Sequence, residues 1–300
     1  MIVLGFDTAT PSTAVALRLD DGRTLQARDD PNSGAHPGHA TRLLDMANEL
    51  LGKASIRWRA VDRIVVGVGP GSFTGLRVGI ATARGLAQSL GVELIGVSSL
   101  RALAEGARAG LGEGSDGGIE EQDGPAGKHA DLPGGSGTTG VLGGTTDVLA
   151  VLDARRGEVF VAAYRLIGRE STEELVPPRA VALDDLGSIV EQAEVARRGD
   201  PRGRWQAIGD GAMRFRAQLQ DAGVRVAPDD SPLHLLSAEA ICELGAREEA
   251  MATVEAILPD YCRRPDAEIA LGRKQASTVA HAVEDPQAVA DSHVGEGGQP

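Results

Sequence analysis

The sequence predicts an α/β protein of two related halves, each opening with a β-hairpin and packing helices on a mixed sheet. Three observations carry this. An apolar run, a short Asp-containing turn and a second apolar run occur twice, over residues 2–19 and 148–166. Strands bounded by turn residues alternate with stretches of helical periodicity, the pattern of layered α/β domains. In each half a later apolar run enters a glycine-rich turn, Gly69–Gly75 in the first and Gly209-Asp210-Gly211 in the second.

In chain order, residues 2–6 and 13–19 form the first hairpin, whose turn presents Asp7, Thr8, Thr10 and Ser12. Residues 39–53 place Leu43, Ala47, Leu50 and Leu51 at helical spacing. Residues 63–68 read as a buried strand running into the glycine turn, with a helix over 76–90 after it. A strand over 92–97 follows, and Ser98-Ser99 caps a helix over 100–108. Beyond residue 147 come the second hairpin, a strand over 204–208, a helix over 237–248 and a last ordered segment over 258–268.

The chain has 300 residues and a formal net charge of -13. That charge is unevenly placed. Residues 110–147 hold seven acids against Lys128, 13 of the 40 glycines and no aromatic residue, a composition that cannot bury enough apolar surface to offset its ordering entropy. Residues 276–300 add four acids and neither Lys nor Arg. The expected organisation is therefore 1–109 as the first half, 110–147 as a disordered insert, 148–272 as the second half and 273–300 as a disordered tail. The low isoelectric point says little about partners. No apolar run approaches the roughly 18 residues of a membrane span, the start lacks the basic region of a secretory signal, and two cysteines, Cys242 and Cys262, make no disulfide framework. A cytoplasmic location is expected.

The strongest local signal is the stretch from Gly67 to Gly79, GVGPGSFTGLRVG. A glycine-rich turn between strand and helix aims backbone N–H groups at an anion, or serves only to pack helix against sheet. It is neither a Walker loop, lacking Gly-Lys-Ser/Thr, nor GxGxxG, since Ser72 holds the third glycine position. With Asp7 and Thr8 on the hairpin turn, Gly69, Gly71, Ser72, Thr74 and Gly75 make the candidate vestigial nucleotide or phosphate site. His36 and His39 have metal half-site spacing, but Pro37 and Gly38 break the helix between them and no second cluster is near. Neither a GxSxG elbow nor a Cys/His pairing is present, so no catalytic residue and no metal are assigned. The doublets Arg155-Arg156 and Arg263-Arg264 read as solvated or paired with nearby acids. Aromatic residues are 3% of the chain, which argues against a broad RNA-binding surface.

The duplicated hairpin with its glycine turn resembles the actin-like, sugar-kinase and heat-shock-ATPase superfamily, with halves of RNase H-like type. Within it, the blocks IVLGFDTATPSTAVAL, GPGSFTGLRVGIATARGLA, GVSSLRALA, VLDARRGEVFVAAY and LPDYCRRPDAE resemble the TsaB family of the glycoprotease-like group, in order over nearly the whole chain outside the insert and tail. The resemblance implies a non-catalytic subunit that binds TsaD, with TsaE joining, to make threonylcarbamoyladenosine at tRNA position 37. TsaD resembles a metal enzyme with a His-x-x-x-His pair; the comparable stretch here, residues 97–104, has no histidine. No cofactor is expected in the lone subunit, with ATP or ADP only in an assembled complex, and tRNA is reached through partners. The resemblance further implies a helical docking face, assigned to His39, Leu43, Ala47 and Leu50 on one helix and to the small-residue stripe Gly75, Gly79, Ala83 and Ala87 on the next. A homodimer through the same face is the variant of this expectation, and an autonomous phosphotransferase using Asp7 and the glycine loop is the alternative function.

Overall fold

The computed structural model describes residues 1–31, 37–111, 145–168, 171–197, 205–249 and 253–262. Residues 1–260 form one unit, and 261–300 are assigned to another. The first sheet contains β1 (Val3–Asp7), β2 (Thr13–Arg18), β3 (Thr24–Asp29), β4 (Arg63–Gly69) and β5 (Glu93–Ser98), in the order β3-β2-β1-β4-β5. β1, β2 and β3 are an antiparallel meander, and β1, β4 and β5 run parallel. The second sheet contains β6 (Thr145–Arg155), β7 (Glu158–Ile167), β8 (Ser171–Ala182), β9 (Gln206–Ile208) and β10 (Arg225–Val226). Its order is β10-β9-β6-β7-β8, again a meander followed by parallel strands. Counted from its own first strand, each sheet therefore reads third, second, first, fourth, fifth. The duplicated α/β architecture expected from the sequence is the one observed.

Strand alternation divides each sheet into two apolar faces. Leu4, Phe6, Val15, Leu17, Ile64 and Val66 face helices α1 (His39–Ala54) and α2 (Phe73–Leu90). Val3, Ala14, Ala16, Val65, Ile95 and Val97 point the other way and meet helix α7 (Ala238–Arg247) through Ile241, Cys242 and Leu244. Gly5 and Gly245 let α7 approach closely: a Cβ on Gly245 would overlap the Val65 side chain. On the second sheet, Leu149, Val151, Val159 and Val161 face α4 (Leu186–Ala196), α5 (Asp210–Arg214) and α6 (Arg216–Asp221). Its other face receives α3 (Ser99–Leu111), which touches β6, β7 and β9 and also packs on α7. The halves are thus not self-contained. A helix from the first covers the second sheet, and a helix from the second covers the first.

The element boundaries depart from the composition-based ones at the insert. Helix α3 runs to Leu111 and β6 begins at Thr145, so the segment between them is shorter than 110–147. Asp147 belongs to the fold: it is buried in β6, accepts from Arg165 Nε at 2.9 Å and pairs with buried Arg197. Composition misplaced it because one strand end and a glycine-rich run share the same local residue types. The disorder expected for the rest of the insert and for 273–300 lies outside the described residues, as do 263–268 of the last segment. Two strands that the sequence reading does not include, β3 and β8, carry no clean alternation, whereas α4, also not included, does show helical spacing in Leu186, Ile189, Val190 and Ala193. β3 and β8 are edge strands whose residues are mostly half-buried or exposed, so the alternation that marks a strand is weak.

Candidate functional site

The carboxyl ends of β1, β4 and β5 converge on the glycine turn, where open α/β sheets bind ligands. The chain itself fills this place. Asp7 ends β1 with its carboxylate 1% exposed; Oδ1 accepts from the Ala9 N–H at 2.6 Å and Oδ2 from the Ser99 hydroxyl at 2.6 Å. A Cβ on Gly67 would overlap Asp7 Oδ2, so glycine there is the space that the carboxylate occupies. Burial lifts the Asp7 carboxyl above its ordinary range, against the opposing pull of those two hydrogen bonds.

Thr8 is fully buried and donates its hydroxyl to the Gly75 carbonyl at 2.8 Å. Cβ atoms on Gly75 and Gly79 would overlap the Thr8 carbonyl and hydroxyl respectively. Gly71 likewise leaves room for Ala9, whose carbonyl accepts the Ser72 N–H at 2.7 Å. Ser72 caps α2, its hydroxyl accepting from the Gly75 N–H and its carbonyl from Leu76. Gly69 stands at φ 109, a conformation that only glycine adopts without cost, and packs beneath the Asp260 carbonyl. Of the proposed nucleotide residues, the structure brings Asp7, Thr8, Gly69, Gly71, Ser72 and Gly75 together, with Thr8 and Ser72 bonded to Gly75 and the Asp7 carboxylate to Ala9 and Ser99. Thr74 faces solvent.

The docking residues read from the sequence need correction. His39, Leu43, Ala47, Leu50, Ala83 and Ala87 are each at most 5% exposed, and Gly75 and Gly79 are buried. Ala83, Ala87, Leu43, Ala47 and Leu50 belong to the core between the two helices and the first sheet, and His39 bonds Thr13 through Nδ1 at 2.8 Å. The small stripe exists so that the hairpin turn can reach α2. Spacing identified one side of the helix but not which side is inward. The opposite side carries Phe73 and Arg77, whose guanidinium lies 3.8 Å from the ring centre, then exposed Ala81 and Gly85; on α1, Leu44 is 41% exposed.

No group of three or more metal-binding side chains occurs among the described residues. His36 lies outside them. His234 is a structural tie: Nδ1 accepts the Gly209 N–H at 3.1 Å and Nε2 donates to the Ala227 carbonyl at 3.2 Å. At the second hairpin, Asp153 pairs with Arg214 and Arg155, and its own N–H donates to Asp210 at 3.0 Å. Arg155 thus has an acid partner of the kind that the sequence suggested, Asp153. Asp153 and Asp210 are the chemistry-bearing pair that sequence reading missed; their signal was the repeated hairpin, although Asp153 lies on the sheet face toward α5 and Asp7 on the face away from α1 and α2.

Comparison with known proteins agrees with this geometry. Residues 31–116, spanning α1 through the glycine turn and beyond α3, match the family model described as "TsaD: tRNA N6-adenosine threonylcarbamoyltransferase". The chain is 28% identical to the tRNA threonylcarbamoyladenosine biosynthesis protein TsaB of Escherichia coli, over 88% of this chain and 95% of that one. It is 26% identical to the protein of the same name from Bacillus subtilis, over 89% and 96%. This chain is a homologue of the TsaB proteins. YeaZ from Pseudomonas aeruginosa, at 26% identity, superposes with a TM-score of 0.61 over 87% of this chain and 99% of that one. The likeness to TsaB runs nearly end to end, whereas the TsaD-type match covers residues 31–116 alone.

Proposed function

We propose that this chain is the TsaB-type subunit of threonylcarbamoyladenosine biosynthesis in tRNA, a non-catalytic scaffold that binds TsaD, with TsaE joining, to support N6-threonylcarbamoylation of adenosine 37 in tRNAs reading ANN codons. A role in this biosynthesis follows from end-to-end homology with proteins that carry that name. The scaffold reading rests on one observation: the groups at the carboxyl ends of β1 and β4 that would meet a phosphate are bonded to each other. A substrate entering there would have to break three buried hydrogen bonds, each of which leaves unsatisfied groups at a cost of about 1–3 kcal/mol.

The outward sides of α1 and α2, with Leu44, Phe73, Arg77 and Ala81, are the proposed TsaD contact. They combine two large exposed apolar side chains with a small position that a facing helix can approach. The test is reconstitution of threonylcarbamoyl transfer to unmodified tRNA with cognate TsaD and TsaE, with and without this chain. Transfer that depends on the chain, with no ATP turnover by the chain alone, supports the reading. Steady nucleotide hydrolysis or phosphoryl transfer by the lone subunit would replace it with the phosphotransferase alternative.

A further inference from the structure

Among the described residues, Arg23, Arg28, Arg42, Arg63, Arg101, Arg108, Arg155, Arg165, Arg197, Arg214 and Arg216 each pair with a carboxylate. The turn between α1 and β4 is different. Lys53, Arg57 and Arg59 are all exposed, none has a carboxylate or carbonyl partner among the described residues, and residues 50–61 contain no acid. Between the two arginines stands Trp58, half-buried, packed against the core by one side and held at its edge by donation from Nε1 to Asn48 at 2.8 Å.

The backbone fixes this arrangement. Helix α1 closes with Ser55 at φ 58 while the Ile56 N–H reaches back to the Leu51 carbonyl at 2.9 Å, a left-handed cap that ends the helix sharply. A single 3-10 turn, Trp58–Ala60, follows at once, closed by the Val61 N–H on the Trp58 carbonyl. The cations therefore project from a short, hydrogen-bonded corner, and little order has to be gained on binding. The corner lies before the start of β4, whereas the glycine turn lies at its end, about 20 Å away at the ordinary rise of a strand. It takes no part in the site already described.

We infer that Lys53, Arg57 and Arg59 with Trp58 form a contact for the phosphodiester backbone of a folded RNA. Guanidinium groups match phosphate geometry, and the half-buried indole between the two arginines offers its outer surface to an unstacked base. An acidic protein surface is the competing occupant, since indoles are also frequent at protein interfaces, and TsaD binding by the patch variant separates the two. The inference deepens the proposed function, on which it rests for the choice of tRNA as the RNA. It departs from the expectation that tRNA is reached only through partners.

The experiment follows anisotropy of dye-labelled unmodified tRNA titrated with the full chain, without TsaD, at 50 and 150 mM salt. Three phosphate contacts predict a log–log salt slope of roughly -2 to -3 for the wild type. Lys53→Gln/Arg57→Gln/Arg59→Gln should weaken binding about tenfold or more at 50 mM and flatten the slope by about 2. The control Arg23→Gln/Arg101→Gln/Arg247→Gln changes net charge equally from other exposed sites and should bind like wild type. Because Trp205 is buried and the chain has two tryptophans, tRNA should quench the fluorescence of Trp58, and Trp58→Phe should remove the quenching. Wild-type protein that does not bind, equal weakening by both triple variants, or a patch variant that binds normally would each overturn the inference. So would a patch variant that keeps tRNA but loses TsaD, which would give the corner to a protein partner. Failure of the scaffold reading is seen separately, as transfer that proceeds without the chain, and leaves the anisotropy result unaffected.

Discussion

The two halves use one strand order and place the same residue types at equivalent points, yet their junctions are built for different ends. Asp7 closes the first strand of one half and Asp153 lies near the end of the first strand of the other. Gly69 and Gly209 follow the fourth strands with φ of 109 and 103. Beyond each, a second glycine, Gly71 or Gly211, admits the backbone of the neighbouring hairpin turn. In the first half the turn is sealed: Asp7 is tied to Ser99, Thr8 to Gly75, and an 18-residue helix follows. In the second half the helix has five residues, and Asp153 is bound by Arg155 and Arg214, two arginines that reach solvent. The comparison teaches that the duplicated geometry persists while the chemistry at its centre depends on a few side chains, and that the first half has spent its chemistry on its own packing.

The contrast breaks most severely at Gly67. Gly67→Ala puts a methyl group where Asp7 Oδ2 sits, and overpacking of about 1–3 kcal/mol is joined by loss of the bonds to a buried carboxylate. The variant should melt well below wild type or accumulate as insoluble protein, and Gly67→Ala/Asp7→Gly should recover part of the loss in thermal denaturation. A double variant no better than the single would remove Asp7 as the cause.

Next in size is the pair Ala83→Glu and Ala81→Glu. Ala83 is fully buried, so its replacement forces an unpaired carboxylate into the core and should cost about 3–5 kcal/mol, the range for an uncompensated buried charge. Ala81 is exposed, so its replacement should leave the melting temperature within about 2 °C, an effect below about 0.5 kcal/mol. The second variant should weaken TsaD binding in a pull-down or by calorimetry. Equal melting temperatures for the two would mean that the inward side of α2 has been misassigned.

A smaller effect, shared by the two halves, is read through pH. Burial raises the carboxyls of Asp7 and Asp210 above the ordinary value, so each binds its proton more tightly folded than unfolded. Stability supplied by that proton is complete below about pH 4, the ordinary carboxyl pKa, and declines as pH rises through the folded value. Urea midpoints should therefore fall over that window in the wild type, and less steeply in Asp7→Asn and in Asp210→Asn. Chemical denaturation at several pH values reads the slope directly; an unchanged slope in both variants would assign the pH dependence to other groups.

The smallest expected effect concerns thiols. Cys242 is wholly buried between α7 and the first sheet, and burial pushes its thiol up to about 12. A disulfide reagent at neutral pH should label Cys262 first and reach Cys242 only as the protein opens, leaving the melting temperature almost unchanged after the first thiol reacts. Rapid labelling of both would place α7 less firmly on the sheet.

Much of this architecture was legible because periodicity and turn chemistry are local. The two hairpins, α1, α2 and α7 follow from spacing, and the Ser98-Ser99 start of α3 from residue type at a helix start, with the Ser98 hydroxyl accepting from the Arg101 N–H. The glycine turn was legible as a turn, and the order of the sequence blocks carried the family. Local pattern gave less at β3 and β8, where partial exposure weakens alternation, and at Asp147, which looks like its acidic neighbours until Arg165 and Arg197 are brought beside it by strand pairing and a helix end.

The sequence by itself determined the repeated strand-turn-strand units, the small stripe on α2 and the uneven placement of charge, since each depends only on neighbours along the chain. Only the tertiary structure decided that the stripe faces Thr8 and not a partner, that the Asp7 carboxylate fills the room left by Gly67, and that α3 and α7 each cover the other half's sheet. These are contacts between residues far apart in sequence, and the side of a helix that turns inward is set by what the rest of the chain buries against it.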